Sequence, residues 1–214
     1  TKPKMTGTVY DTLYVSWWYK PGKSVTDEGG SNKFIRVWDD TNGTGTRISW
    51  TQMHLTCGTL TDWYTWPGKI ADWNHHEFYV NLADKKVVAK VNGKVIHDVV
   101  CEKDPAQSGK PIYVQVLGFD HGSTAYQTQT TSLDDIYIGN TQARALVSAS
   151  SRWSTSIQTE VLPIKTWTAG KIETETISGY LRLNNQVYIY VVDKDGNVNA
   201  NGFKVNCPFC PAMR

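Results

Sequence analysis

Residues 73–98, WNHHEFYVNLADKKVVAKVNGKVIHD, limit the fold more than any other stretch of the chain. Apolar and polar residues alternate over 77–82, 87–91 and 94–100, the period of half-buried strands. Asp84-Lys85 and Asn92-Gly93 interrupt the alternation. Asn-Gly between two alternating runs favours a two-residue hairpin, because both turn residues then tolerate positive φ. The stretch therefore predicts a three-stranded antiparallel meander. Its apolar face requires a second layer to cover it.

Short runs rich in Val, Ile, Tyr, Trp and Thr recur at 12–19, 33–38, 46–55, 112–119 and 135–138, separated by Gly, Asn, Asp and Pro. No amphipathic helical pattern competes with them, so the expectation is all-β, a sandwich or barrel. At 214 residues the chain can bury a substantial core, in one large domain or a large and a small one. A net charge of +2 argues against a nucleic-acid partner held by phosphate neutralisation. No apolar run reaches the 18 residues that read as a membrane-spanning helix. The start TKPKMTG, with neither initiator Met nor apolar signal core, reads as a processed product or excised fragment without targeting information.

Residue usage changes near position 140: seven of nine Trp and all five His precede it. SLDDIYIGN (132–140) reads as a closing strand, and the small, polar stretch 141–152 as a linker. Strands are expected beyond it at 156–162, 171–177, 186–192 and 202–205, with Asp195-Gly196 turning between the last two. The predicted division is 1–140, linker 141–152, a small β domain at 153–206, and a tail at 207–214 containing Cys207-Pro208-Phe209-Cys210.

Trp73 ahead of the meander, the NGK at its second turn and the SLDDIYIGN run resemble the concanavalin A-like lectin/glucanase jelly roll, including its laminin-G-like and polysaccharide-lyase-like members. The resemblance implies a two-sheet jelly roll whose first and last strands pair, and sugar chemistry or adhesion. One fold hosts many functions, so it does not select among them. VYIYVVDKDGNV (187–198) resembles the late hairpin of a small immunoglobulin-like or fibronectin-like sandwich. The predicted class is thus an all-β jelly-roll sandwich followed by a small immunoglobulin-like β-sandwich.

Alternation sets Phe34, Arg36 and Trp38 on one side of 33–38, and Ile48, Trp50, Gln52 and His54 on one side of 46–55. It sets Tyr113, Gln115 and Leu117 together on 112–119. Aromatic planes mixed with Arg, Gln and His suit a sugar, whose C–H face stacks while its hydroxyls take directional hydrogen bonds. Arg36, Trp38, Trp50, Gln52, His54, Tyr113 and Gln115 are therefore the ligand-binding candidates. The competing reading places Trp38, Trp50 and Tyr113 in the core.

Gln52-Met53-His54 also resembles the Gln-x-His element of alginate-lyase-like jelly rolls, where Gln neutralises the uronate carboxylate and His acts as base. With Arg36 these are the only catalytic candidates. The Arg-rich early strand and the Tyr-x-Lys-x-Gly run of those lyases have no counterpart here, and elimination needs base, acid and charge neutraliser together. Glycoside hydrolysis needs two carboxylates flanking one bond. Asp39-Asp40 and Asp134-Asp135 are adjacent pairs that point to opposite faces, and the E-x-D-x-x-E run of laminarinase-like members is absent.

Asp39-Asp40-Thr41-Asn42-Gly43 reads as a turn, with a structural calcium loop as its alternative. No other cofactor is indicated. His75-His76 lacks a third ligand at metal spacing, so no metal site is assigned. The segment 59–73 carries Trp63, Tyr64 and Trp66 beside Pro67-Gly68; it reads as an aromatic loop at the rim that closes a groove, docks another subunit, or folds back over a sheet edge. Cys57, Cys101, Cys207 and Cys210 allow two disulfides in open connectivity, with Cys57 and Cys101 at strand ends and the C-terminal pair as a local bridge or free thiols. Asn42-Gly43-Thr44 is a glycosylation sequon in a eukaryotic host.

The expectation is a non-catalytic carbohydrate-binding or adhesion module of an extracellular, cell-surface or virion protein, with a glycan or polysaccharide as partner. The alternative is a structural subunit of a phage particle, fibre or surface filament, with other subunits as partners. The second alternative is an enzyme, a polysaccharide lyase acting on a uronate polymer.

Overall fold

The computed structural model describes residues 11–22, 33–37, 46–49, 52–57, 60–100, 114–117, 130–153, 158–175, 181 and 186–206. Every regular element of four or more residues among them is a β-strand. The chain divides into two compact units, Thr1–Asn140 and Thr141–Arg214.

The first unit contains β1 (Thr12–Pro21), β2 (Lys33–Val37), β3 (Thr46–Ser49), β4 (Gln52–Cys57), β5 (Leu60–Thr65), β6 (Asn74–Asn81), β7 (Lys86–Val91), β8 (Lys94–Val100), β9 (Val114–Leu117) and β10 (Thr131–Gly139). They form two five-stranded antiparallel sheets, ordered β10-β1-β6-β7-β8 and β5-β4-β3-β2-β9. The predicted meander is β6-β7-β8. At its second turn Asn92 and Gly93 both take positive φ, 51° and 75°, as an Asn-Gly hairpin requires. At its first turn Lys85 adopts φ 52°. The first and last strands of the unit pair, with Tyr14 opposite Gly139 and Val15 opposite Ile138.

Alternation decides what this unit buries. Leu13, Val15, Trp17 and Tyr19 of β1 point inward and join Phe78 and Val80 of β6 and Val87, Ala89 and Val91 of β7. Met53 and Leu55 of β4 complete the same core from the other sheet, so the two sheets pack face to face as a sandwich. A bulge in the β7-β8 pairing, between Ala89 and Lys90, adds one residue to β8. Consecutive residues Ile96 and His97 are therefore both buried.

Two sequence expectations change here. The single strand expected over 46–55 is a hairpin of β3 and β4, with Ser49 paired to His54. The rim loop expected over 59–73 begins as a strand, because β5 pairs with β4 from Thr65 opposite Gln52 to Leu60 opposite Cys57.

The second unit contains β11 (Arg144–Ser148), β12 (Thr159–Leu162), β13 (Ile164–Thr168), β14 (Lys171–Thr174), β15 (Gln186–Val192) and β16 (Phe203–Asn206). Four of them make an antiparallel sheet, β12-β11-β15-β16, and β13-β14 a two-stranded ribbon. The expected linker 141–152 is corrected: β11 lies inside the sheet between β12 and β15, with all five residues buried. Ala145 and Val147 face Leu162 and Val187 on one side, with Ile172 of the ribbon packed against them; Leu146 faces Tyr190 and Val192 on the other. Small residues read as flexible, yet Ala-Leu-Val between two strands is buried on both faces, as an inner strand should be. At the β15 turn, Asp193 accepts hydrogen bonds from the backbone N–H groups of Asp195 and Asn197. Gly196 supplies φ 85° there.

Candidate functional site

Trp63 is the most exposed Trp among the described residues, half accessible at 50%, although β5 pairs into a sheet. Its register partner is His54, which pairs in turn with Ser49. Thr65 pairs with Gln52 two positions away. Positions 52 and 54 alternate with the core positions Met53 and Leu55, so Trp63 belongs to the row facing away from the sandwich core. On the same sheet Arg36 pairs with Arg47 of β3 and Val116 of β9.

The structure thus brings the positions of Arg36, Gln52 and His54 into one sheet and adds Trp63, which the sequence assigned to a loop. It separates Ile48 from them, because the turn between β3 and β4 reverses the chain. Gln115 lies in β9, one position from Val116, the residue paired with Arg36. Trp38, Trp50, Tyr113, the Asp39–Gly43 turn, Cys101, Cys207 and Cys210 lie outside the described residues. Cys57 ends β4 opposite Leu60.

The edge beside Trp63 is braced from the other sheet. Tyr64 receives a hydrogen bond from Lys94 Nζ at 2.8 Å, and the same ammonium lies 5.1 Å from the Tyr64 ring centroid. Asp62 Oδ2 stands 2.8 Å from His97 Nδ1, while His97 Nε2 meets the carbonyl oxygen of Met53. Both ring nitrogens of this buried imidazole thus meet an oxygen. With both nitrogens engaged, His97 holds β8 to β4 and β5 and is not poised as a base.

Trp66, the third rim candidate, turns inward. Its indole Nε1 donates to His76 Nε2 at 3.2 Å, and its ring packs against the core. Trp17 stacks on the same imidazole, its ring centroid 5.1 Å from that of His76. Burial, then the charge of neighbouring His75, holds the His76 pKa down to about 3. A neutral ring accepting at Nε2 carries its proton on Nδ1. Gly68 follows because the Trp66 indole occupies the space a Cβ would need. The exposed large hydrophobic residues of this region are Trp63, Tyr64, Ile70 and Trp73. Among the described residues no group of three His, Cys, Asp or Glu side chains is arranged to hold a metal.

No protein family and no curated protein matches the sequence. Among solved structures the chain is similar to a cellulose-induced protein, Cip1, at 16% identity and a TM-score of 0.42, covering 62% of this chain and 69% of that one. It is also similar to a sialidase at 14% identity and TM-score 0.40, covering 61% of this chain and 13% of the sialidase. A third likeness is to the binding domain of botulinum neurotoxin serotype D/C, at 10% identity and TM-score 0.43, covering 89% of this chain and 58% of that one. The chain therefore spans well under two thirds of the last two.

Proposed function

We propose that this protein is a non-catalytic carbohydrate-binding module whose first unit is a jelly roll of the concanavalin A type and whose second is an immunoglobulin-like accessory domain. The observation that carries the reading is Trp63: a large aromatic plane left half exposed on a paired strand, beside the positions of Gln52 and His54. An indole in that state costs the free protein unfavourable hydration, and a sugar ring covering it with C–H groups removes that cost. Tyr64, the next residue of β5, is held by Lys94, and Trp73 is a further exposed indole. Arg36, Gln52 and His54 are proposed to supply hydrogen bonds to hydroxyl groups.

The absence of catalysis is part of the proposal. Gln52 and His54 supply one lyase element, and no Tyr stands in β9 to protonate a leaving oxygen. Glycan-array binding by the unmodified protein, and its loss in Trp63→Ala, tests the binding reading. Incubation with alginate, glucuronan and pectate, followed by the ultraviolet absorbance of new C4–C5 double bonds, tests the non-catalytic reading. A steady rise that vanishes in His54→Ala makes the protein a polysaccharide lyase instead. An extracellular, cell-surface or virion setting is proposed with it.

A further inference from the structure

We propose that Asn92-Gly93 is a deamidation site, and that its conversion to aspartate or isoaspartate unlatches the turn between β5 and β6 from the β7-β8 hairpin. The site is independent of any glycan, because two asparagines carry it. Asn92 is half-buried and Gly93 exposed at the tip of the hairpin. Glycine has no side chain to shield its nitrogen, so that nitrogen can approach the amide carbon of the asparagine before it closely.

The second asparagine, Asn74, begins β6 with no exposed surface. Its Oδ1 accepts from the Lys69 backbone N–H at 2.8 Å, and its Nδ2 donates to the carbonyl oxygens of Lys69 and Asp72, both at 2.8 Å. Backbone groups have fixed polarity, so these three contacts settle which end of the amide is oxygen. The same Oδ1 receives Asn92 Nδ2 at 3.0 Å, while Asn92 Oδ1 accepts from the His75 backbone N–H at 2.9 Å. Each of these contacts joins a donor to an acceptor.

Hydrolysis of Asn92 breaks that agreement. The Gly93 nitrogen attacks Asn92 Cγ and a cyclic imide forms; the Cγ–Nδ2 bond breaks, and ammonia leaves with the Gly93 amide proton. Water then opens the imide at either carbonyl. One opening leaves aspartate in an unaltered backbone, and the other leaves isoaspartate, with the main chain running through Cγ. In the first product one carboxylate oxygen keeps the His75 N–H, and the second faces Asn74 Oδ1, acceptor against acceptor. Turning the Asn74 amide over sets its oxygen against the Lys69 and Asp72 carbonyls and orphans the Lys69 N–H. Mismatched polar groups in a buried site are costly. In the second product the added backbone atom spoils a two-residue turn built on φ 51° and 75°.

The turn is ready to open once Asn74 lets go. Ala71 takes φ 57° in its middle, a conformation that a non-Gly residue keeps only where its surroundings over-determine it. Here those surroundings are the Asn74 contacts at Lys69 and Asp72, on either side of Ala71, and the hydrogen bond from the Ala71 N–H to the Pro21 carbonyl at 2.8 Å. All five residues of 69–73 are exposed, so little apolar burial opposes the opening. The latch also guards its own weak point. Asn92 Cγ reaches the Gly93 nitrogen only when the side chain leaves both partners, so the reaction proceeds from an opened turn.

The test holds the full chain in mildly alkaline buffer, folded and in guanidinium chloride, and reads conversion at Asn92 by peptide mass mapping and isoaspartate methylation. Folded Asn92 should convert about tenfold or more slowly than in denaturant, and Asn74→Ala should remove most of that protection. Trypsin gives a second readout, since the bond after Lys69 contains the carbonyl that Asn74 holds. Cleavage there should rise about tenfold in the converted protein and in Asn92→Asp, which mimics one product and decides the latch even if Asn74→Ala fails to fold. An Asn92 that stays intact in the folded protein after the denatured sample has converted completely overturns the site. Conversion as fast folded as denatured, or cleavage after Lys69 unchanged in Asn92→Asp, overturns the latch.

Discussion

Trp66 donates its indole N–H to Nε2 of His76 across 3.2 Å, and this one contact ties the turn after β5 to the centre of the first unit. His76 lies in β6 with Trp17 stacked against it and Tyr19 edge-on at 5.9 Å. A neutral imidazole is the only form that accepts from Trp66, so the protonation state of His76 and the seat of the aromatic turn are one variable.

That coupling gives a pH dependence with a definite sign. The folded pKa of His76 is depressed to about 3 against 6.5 in the unfolded chain. Between those values the unfolded chain binds the extra proton, so stability rises with pH through the window and is complete above it. Acidification below about 6.5 should therefore lower the thermal midpoint, by up to ~1.4 kcal/mol of stability per pH unit from this residue. The midpoint of His76→Gln should depend less steeply on pH between 4 and 6. Parallel slopes in the two proteins would sink the assignment.

Trp63→Ala should leave the thermal midpoint nearly unchanged, with a stability effect within about 0.5 kcal/mol, while abolishing glycan retention. The substitution separates surface from core: a large fall in midpoint would mean that the Trp63 ring packs rather than binds.

Trp17→Ala should behave oppositely. The indole is fully buried between β6 and the Trp66 turn. Truncation should cost ~3–5 kcal/mol in urea unfolding. A loss under 1 kcal/mol would be incompatible with the packing around His76.

Asp62→Ala should destabilise the first unit by ~1–3 kcal/mol, because buried His97 loses the acceptor at Nδ1. Lys94→Met removes an exposed contact to Tyr64 and should cost under ~1 kcal/mol. Equal effects from the two variants would show that the His97 contact braces nothing.

Gly68→Ala should disturb the same turn from outside the core. The added methyl meets the Trp66 indole, so the ring must shift or the turn must open. Trp66 emission should move to longer wavelength as its ring gains water, an effect best read in a Trp63→Ala, Trp73→Phe background. An unchanged spectrum would place the ring elsewhere.

Much of the fold is legible in residue order because a strand announces itself locally. Alternation around Phe78, Val80, Val87 and Ala89 marks both the meander and its buried side. Asn92-Gly93 marks its turn, and SLDDIYIGN marks the strand that closes on β1. Residue order also singled out Gln52 and His54, the exposed indole of Trp63 and the turn containing Gly68.

Other features depend on residues far apart in the chain. Whether 46–55 runs straight or folds back turns on the pairing of Ser49 with His54, which local alternation does not encode. β5 hid among aromatics because four of its six residues are exposed to solvent, Trp63 and Tyr64 side by side among them, so no strand period emerged. Ala145-Leu146-Val147 looked like linker because a strand buried on both faces has no alternation to display. His97 reaches Met53 and Asp62 only because a bulge in β8 turns two consecutive residues inward. The amino-acid sequence by itself determined an all-β chain, the faces of its longer strands and the turns that reverse them, since these follow from neighbours along the backbone. Tertiary structure alone decided the registers, the bulges at Asp135 and His97, and the rows that set Glu77 beside Ser16 and Trp63 beside His54, since cross-strand pairing joins positions that no local period connects.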